Sequence, residues 1–201
     1  FAVAANANGT TDLAALGKAG SDAGPAFVLL AIGFLVKAGA IGVHVWLPDA
    51  YAEADDDFSA MLSAVISKVA IFGLFVVTYL AIRSEVGLDL AHLMGWIGLL
   101  TTLAGALMAL QQDDMKRMLA YSSMSQLGYI ITAIALMSHL GWVTALYLVA
   151  NHLIVKGILF LAAAAVILRT GTRLLSQNGG LARQMPLTFA VAVVALVSMS
   201  G

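Results

Sequence analysis

Three lysines, Lys37, Lys68 and Lys156, lie within stretches of residues that are apolar enough to sit in a lipid bilayer. An ammonium group at membrane depth costs at least a few kcal/mol, so such a lysine usually faces a bundle interior or a water-filled cavity and marks an ion or proton route. The alternative is that each long side chain extends to the lipid headgroups, which requires a position near a helix end. All three lysines lie well inside their segments, and the pattern therefore predicts a proton or ion pathway.

His152 and Lys156 are four residues apart, so they share one face of a helix, and Asn151 adjoins them. An imidazole accepts and releases protons near neutral pH, which makes it a suitable neighbour for a lysine that carries protons. A single intramembrane histidine can instead be a hydrogen-bonded packing residue. The adjacent lysine favours a relay, in which His152 and Lys156 are two successive proton carriers.

Other polar groups near these segments allow more than one interpretation. Ser63 and Ser67 precede Lys68, where their hydroxyls either form a polar patch or let helices approach closely. His44, just before Trp46, could pass protons between Lys37 and water or could be an interfacial residue beside the tryptophan. The remaining polar side chains could hold water in a half-channel or hydrogen-bond across helices; they are Ser122, Ser123, Ser125 and Gln126.

Charged runs are interpreted as structural. The acidic run 55–57 could attract cations at a pore mouth, but such runs are more often solvated loops. The run 113–117, which joins two aspartates to Lys116 and Arg117, is expected to form a charged turn that ends one helix and starts the next. His92 and His139 are expected to be solvated loop residues.

The composition identifies the class of protein that must position these groups. Hydrophobic residues make up 61% of the chain and charged residues 10%, and the mean hydropathy is +0.96, which together indicate a polytopic membrane protein. The net charge of −1 argues against nucleic acid as a partner. The 201 residues include no cysteine, so disulfides and thiolate-held metal centres are excluded. No nucleophile–base pair, phosphate loop or metal-ligand cluster stands out, and we predict no bound cofactor.

Hydropathy predicts an all-α bundle of about six membrane spans after a polar loop over residues 1–24. The transmembrane domain is expected over 25–201, and its spans are 25–47, 58–82, 92–111, 118–138, 142–169 and 186–201. The last span is incomplete, so we expect the chain to be a fragment of a longer protein. Gly33, Gly39 and Gly42 surround Lys37 and predict a broken helix there, because irregular backbone at membrane depth is tolerated where it lines a cavity or is buried in protein.

Basic residues outside the spans predict the orientation. If the spans alternate, Lys18 and Arg83 lie on one side, and five basic residues lie on the other: Lys116, Arg117, Arg169, Arg173 and Arg183. The positive-inside rule then places the second side in the cytoplasm and the loop 1–24 outside. We expect the membrane to be the bacterial inner membrane.

Four runs of residues resemble the antiporter-like subunits of respiratory complex I, a family that includes the Mrp-type sodium/proton antiporter subunits and membrane subunits of related hydrogenases. The first run, within 35–68, contains Lys37, His44, Trp46-Leu47-Pro48-Asp49-Ala50, Ala52-Glu53-Ala54, Ser59-Ala60 and Lys68. The second is Asp114-Met115-Lys116-Arg117-Met118-Leu119-Ala120-Tyr121-Ser122-Ser123, followed by Gln126-Leu127-Gly128-Tyr129. The others are 152–161 and Gly179-Gly180-Leu181-Ala182-Arg183-Gln184-Met185-Pro186. The resemblance extends from about residue 25 to the end of the chain.

The resemblance implies the second half of a subunit of about fourteen helices, built from inverted repeats that each contain a broken helix. Lys37 matches the lysine of the first broken helix, and Lys68 matches the lysine of the following helix. Lys156 matches the central lysine, with His152 one turn before it. The family also implies a glutamate partner for Lys37, on a helix that this chain does not contain, and a second broken helix that begins at Pro186.

Three departures from the family pattern stand out. Gly42-Val43 replaces a proline often found before the equivalent of His44, and the acidic residues 55–57 replace a proline-containing loop. A further histidine that some members carry one turn before His152 is Leu148 here. The relay is therefore expected to be simpler, and the acidic loop leaves the branch of the family open.

The function implied is proton translocation by a subunit of a complex I-like assembly, through Lys37, Lys68, His152 and Lys156, with His44 as a further carrier. The partners would be the lipid bilayer, other membrane subunits and protons. One alternative is a subunit of an Mrp-type cation/proton antiporter, with Na⁺ as the second ion. Another is a non-conducting structural subunit. The chain carries no catalytic chemistry of its own under any of these, but it could belong to a redox-driven translocase of the NADH:quinone oxidoreductase type.

Overall fold

The computed structural model describes residues 24–82 and 87–200, and their regular structure is helical apart from one isolated β-bridge between Asp114 and Leu174. The predicted loop over 1–24, with Lys18, falls almost entirely outside the described residues, as does Arg83. Eight α-helices are named in chain order: α1 Gly24–Ala38, α2 Trp46–Glu53, α3 Asp56–Ala81, α4 Gly87–Leu110, α5 Met115–Ala135, α6 His139–Thr170, α7 Leu181–Gln184 and α8 Pro186–Ser200. The predicted all-α bundle is confirmed.

Length and apolar composition distinguish five of these eight helices from the rest. In the described part of the chain, α3, α4 and α6 are long and apolar enough to cross a membrane, whereas α1 and α8 are apolar but shorter. The longest is α6, with 32 residues, and both of its ends are capped. The Ser138 hydroxyl accepts a hydrogen bond from the Gly141 amide, and Gly171 closes the helix in the left-handed conformation.

The predicted broken helix around Lys37 is present: α1 ends at Ala38, and α2 begins only at Trp46. Gly39 and Gly42 both have positive φ angles, of 70° and 90°, which glycine adopts without steric cost. Besides backbone hydrogen bonds, two hydrogen bonds that involve side chains hold the segment. The Trp46 indole Nε1 donates to Val36 O at 3.1 Å, and the Ile41 amide donates to the Thr101 hydroxyl of α4 at 3.0 Å.

We expect Gly39→Ala to lower thermal stability, because a Cβ at this positive φ is strained and would also overlap the Leu47 side chain at Cδ1. The left-handed conformation alone costs a non-glycine residue about 1–2 kcal/mol. The unfolding temperature of the purified full-length protein in detergent measures the effect. Gly33→Ala is the matched control, since no atom lies within 4 Å of its added Cβ. An equal response of the two variants would contradict a specific requirement at Gly39.

Six pairs of elements form most of the bundle: α4 with α5, α5 with α6, α3 with α6, α1 with α3, α6 with α8, and α2 with α5. The α4–α5 contact depends on glycines. A Cβ on Gly98 would lie 2.9 Å from Gly128 O, and one on Gly128 would lie 2.7 Å from Gly98 O. Helices that touch at small residues bring their backbones together, which is the usual way membrane helices pack closely. Since α5 also packs against α2 and α6, it is the central element of the bundle.

Candidate functional site

Lys156, near the middle of α6, is fully buried. Its ammonium donates to the Ser122 hydroxyl at 2.5 Å and to the backbone oxygen of Leu119 at 3.3 Å, and both acceptors belong to α5. The described residues place no carboxylate within ion-pair distance of it. A buried ammonium held only by neutral oxygens is poorly compensated, and this is the environment in which a lysine can give up its proton.

Lys68 follows a π-helical stretch of α3, Leu62–Ile66. There the Ser67 amide donates to Leu62 O, so the usual i to i−4 bond to Ser63 O is replaced. The Lys68 ammonium donates to this Ser63 oxygen and to the Ser67 hydroxyl, at 3.2 Å from the latter. Lys68 is 9% exposed. The wider turn therefore leaves a backbone oxygen available to accept a hydrogen bond from the Lys68 ammonium.

Hydroxyl groups connect the two lysine sites through α5. The Ser63 and Ser123 hydroxyls are hydrogen-bonded at 3.0 Å, and Ser123 also donates to Leu119 O at 2.8 Å. Leu119 O is the same oxygen that accepts from Lys156. Ser122 and Ser123 therefore hydrogen-bond across helices, one of the two roles that the sequence left open for them. Ser123 bonds Ser63 of α3 and Ser122 accepts from Lys156 of α6, so α5 connects the two lysine sites in one polar network.

His152 lies one turn before Lys156 and is 3% exposed. Within the described residues, neither ring nitrogen has a hydrogen-bond partner, although buried polar groups nearly always have one. The ring interacts electrostatically with both Lys68 and Lys156. His152 therefore keeps its full capacity to donate and accept hydrogen bonds beside two lysines, as a proton carrier requires.

Lys37 and His44 lie at the break between α1 and α2, apart from this network. Lys37 is exposed and makes no hydrogen bond or ion pair with the described residues. His44 is half-buried, and its Nδ1 is buried without a partner in the same part of the chain. The structure brings Lys68, His152 and Lys156 together but does not bring Lys37 or His44 to them.

A second group of charges ties together the starts and ends of several helices, and we call it the charged end cluster. Lys116, 5% exposed, pairs with Asp56 at 2.5 Å and donates to Ala54 O at 2.8 Å. The other ion pairs of the cluster are Arg117–Asp49, Arg173–Glu53 and Arg173–Asp114. The cluster joins α2 and α3 to the start of α5 and to the segment after α6.

This cluster corrects the interpretation of residues 55–57 as a solvated loop. Asp56 and Asp57 form the first turn of α3, where carboxylates are favoured by the helix dipole, and Asp56 compensates a buried lysine. The run 113–117 is structural, as predicted: Asp114 caps α5 by accepting from the Lys116 and Arg117 amides. Outside the helices, hydrogen bonds from the Ser176 hydroxyl and amide hold the pKa of Asp113 below its usual value.

Sequence reasoning missed Tyr51 on α2, which is 2% exposed. Its hydroxyl donates to Leu62 O in the π-helical stretch at 3.4 Å. Its ring contacts Phe160, one turn after Lys156, edge to face with centroids 5.8 Å apart. Local sequence carries no signal for this role, because the tyrosine reaches the site only through the packing of α2 against its neighbours.

A family model and the curated proteins compared below point to the same family of membrane subunits. A family model described as "NADH:quinone oxidoreductase/Mrp antiporter, TM" matches residues 1–201. NADH-quinone oxidoreductase subunit N of Desulforudis audaxviator is 37% identical over 177 residues, which are 88% of this chain and 35% of that protein. F(420)H(2) dehydrogenase subunit M of Methanosarcina mazei is 35% identical over 176 residues, 87% of this chain and 35% of that protein. The chain thus spans about a third of the length of these curated relatives.

Solved structures with the same fold come from several assemblies. The Mrp complex from Dietzia sp. contains a chain that matches with a TM-score of 0.93 and 28% identity, over 100% of this chain and 38% of that one. A chain of respiratory complex I from Thermus thermophilus matches with a TM-score of 0.88 and 27% identity, over 100% of this chain and 44% of that one. All belong to multi-subunit membrane complexes.

Proposed function

Because this chain belongs to the NADH:quinone oxidoreductase/Mrp antiporter transmembrane family, we propose that it carries protons across the membrane through Lys37, Lys68, His152 and Lys156. It is an antiporter-like membrane subunit. The observation that carries the proposal is the burial of Lys156 among neutral oxygens, in a polar network that reaches Lys68. A buried ammonium of this kind marks an ion or proton pathway rather than a packing contact.

The pathway runs along the bundle in four steps. Protons enter a half-channel at the broken helix, where His44 exchanges them with water and Lys37 holds them. They pass to Lys68 and then, through His152, to Lys156. Each lysine that becomes charged disfavours a charge on its neighbours, and sites that interact by more than about 1 pK unit titrate together. Through this coupling, a change of charge at one end of the subunit changes the protonation of the sites at the other end.

Two versions of this function differ in what drives the protons: a redox reaction in a partner subunit, or exchange for another cation. The subunits named for NADH-quinone and F(420)H(2) oxidation favour a redox-driven pump, and copurification of iron–sulfur or flavin subunits with the full-length protein would support it. The fold match to the Mrp complex favours the second candidate, a cation/proton antiporter. Sodium-dependent proton movement without any electron donor would support that version.

The charged end cluster supports the proposed orientation. Its ion pairs connect the acidic residues around α2 and α3 to Lys116, Arg117 and Arg173, so all of these lie at one end of the bundle. We place this end in the cytoplasm of a bacterium, by the positive-inside rule, with the segment before α1 outside.

We expect Lys37→Ala in the full-length protein to reduce proton translocation by about a hundredfold, the usual effect of removing a positioned proton carrier. Translocation is measured as proton uptake into liposomes that contain the complete assembly. Lys18→Ala, in the predicted loop, is the matched lysine control and should leave uptake unchanged. Normal uptake by the Lys37 variant would refute a pathway through this residue and favour a structural subunit.

A further inference from the structure

We propose that Thr101 of α4 is a positioning residue for Lys37, which it places by holding the break between α1 and α2. Thr101 carries no proton itself; its hydroxyl fixes the backbone from which the lysine projects. The inference rests on the proposed function, because the placement matters only where Lys37 is the proton carrier at the start of the pathway.

The direction of the Lys37 side chain is set by its backbone. The side chain is exposed, and its ammonium forms no hydrogen bond or ion pair with the described residues. Lys37 belongs to the last turn of α1, where the negative end of the helix dipole favours a cation. A shift of this helix end therefore moves the ammonium, since no partner in the described part of the chain holds it back.

A tight turn follows Lys37 and connects it rigidly to the rest of the break. The Gly39 amide donates to Val36 O at 3.1 Å, and the Ala40 amide donates to Leu35 O at 3.0 Å. With Gly39 at a φ of 70°, these two bonds form the Schellman motif that commonly ends a helix. The residue after this turn is therefore held in a fixed position relative to Lys37.

That residue is Ile41, and its amide donates to the Thr101 hydroxyl oxygen at 3.0 Å. Thr101 is fully buried, and its hydroxyl donates to Ile97 O, one turn earlier in α4, at 2.5 Å. Because the hydroxyl hydrogen is committed to this carbonyl, the oxygen is oriented as an acceptor for the Ile41 amide. The Thr101 side chain thus holds the break at one place on α4.

The other hydrogen bonds of the break do not reach a neighbouring helix. Apart from the bond to Thr101, those of residues 39–45 stay within α1, the break and α2 in the described structure. The bond from Trp46 Nε1 to Val36 O spans the break without leaving these elements. Such contacts hold the two half-helices relative to each other. Among the described residues, Thr101 is therefore the hydrogen-bonding group that ties the break to α4.

Thr101→Val is the direct test, because valine has a similar shape but offers no oxygen to the Ile41 amide. We expect proton uptake under an imposed membrane potential to fall about tenfold, since misplacing a reacting group by about 1 Å can cost up to about a hundredfold. Uptake is measured in liposomes that contain the full-length protein in its complex and is expressed per assembled complex. Thr101→Ser keeps the acceptor and should retain wild-type uptake.

Thr102→Val is the matched control, one position along the same helix. Thr102 is also buried, but its hydroxyl donates to Gly98 O at 3.0 Å and to Ser125 O at 3.3 Å, and neither acceptor belongs to the break. The substitution removes the same group from the same helix, so it should leave uptake per complex unchanged. An equal loss of uptake in the two valine variants would overturn the inference and indicate a general effect on α4.

A double variant tests whether Thr101 acts through Lys37. Thr101→Val should cause no further loss in a Lys37→Ala background, because the effects of two changes that disable one group do not add. A further loss of the same size there overturns the inference, as does wild-type uptake by Thr101→Val when Lys37→Ala has lost uptake. Normal uptake by Lys37→Ala overturns the proposed function instead. Should Thr101→Val assemble poorly, Thr101→Ala removes the same oxygen without added bulk, and the same outcomes decide.

Discussion

Replacing Lys156 by methionine is expected to abolish proton translocation while the protein remains at least as stable as the wild type. The loss should be about a hundredfold or more, since methionine cannot carry a proton. The ammonium is fully buried, and among the described residues only Ser122 and Leu119 O accept hydrogen bonds from it. Replacing a poorly compensated buried charge by an apolar side chain of similar volume is often neutral or stabilising. Activity and stability should therefore change independently.

Proton uptake into liposomes and the unfolding temperature in detergent measure the two effects for the Lys156→Met variant. Ile154→Met is the matched control, because it introduces the same side chain on the same helix at a position that is 59% exposed. Uptake within twofold of the wild type would refute a proton pathway through Lys156. A joint loss of uptake and stability would indicate a structural role instead.

The second large effect concerns stability and arises where α4 meets α5. We expect Gly98→Ala to destabilise the bundle by about 1–3 kcal/mol, the usual cost of overpacking a close contact. The added Cβ would lie 2.8 Å from the Thr132 amide nitrogen and 2.9 Å from Gly128 O. These are backbone atoms, which cannot move aside as a flexible side chain would, so the two helices must separate.

The unfolding temperature of the full-length protein should fall by roughly 5 °C in the Gly98→Ala variant. Gly95→Ala is the control one turn away on α4, where the nearest atom, Ala135 Cβ, is at an ordinary distance of 3.7 Å. Because alanine forms helix better than glycine, this control should be neutral or slightly stabilising. Equal destabilisation by both substitutions would show that close backbone approach at Gly98 is not the cause.

The fold class could be predicted from the sequence, and so could three side chains of the candidate site. Lys68, His152 and Lys156 could be recognised because an ionisable group in an apolar segment is unusual, whatever its neighbours. The broken helix was predictable for a similar reason, since Gly39 and Gly42 are local features of the backbone. The structure confirms the break and brings these three side chains into one region.

The connections between these groups could not be predicted. Ser63 and Ser123 meet because α3 and α5 pack in one particular register, and no property of either serine indicates its partner. The π-helical stretch and Tyr51 depend equally on tertiary contacts. The role of Asp56 could not be predicted either, because its partner Lys116 lies 60 positions further along the chain.

The length of α6 has a consequence for how the site meets its surroundings. A helix of 32 residues extends about 48 Å, whereas the hydrocarbon layer is about 30 Å thick, so α6 must tilt, protrude or do both. Lys156 is carried on this helix, but Ser122 and Leu119 O are carried on the shorter α5. A change in bilayer thickness would alter the tilt of the two helices by different amounts and slide one set of groups past the other. Lipid chain length thus becomes a physical variable that acts on the Lys156 contacts.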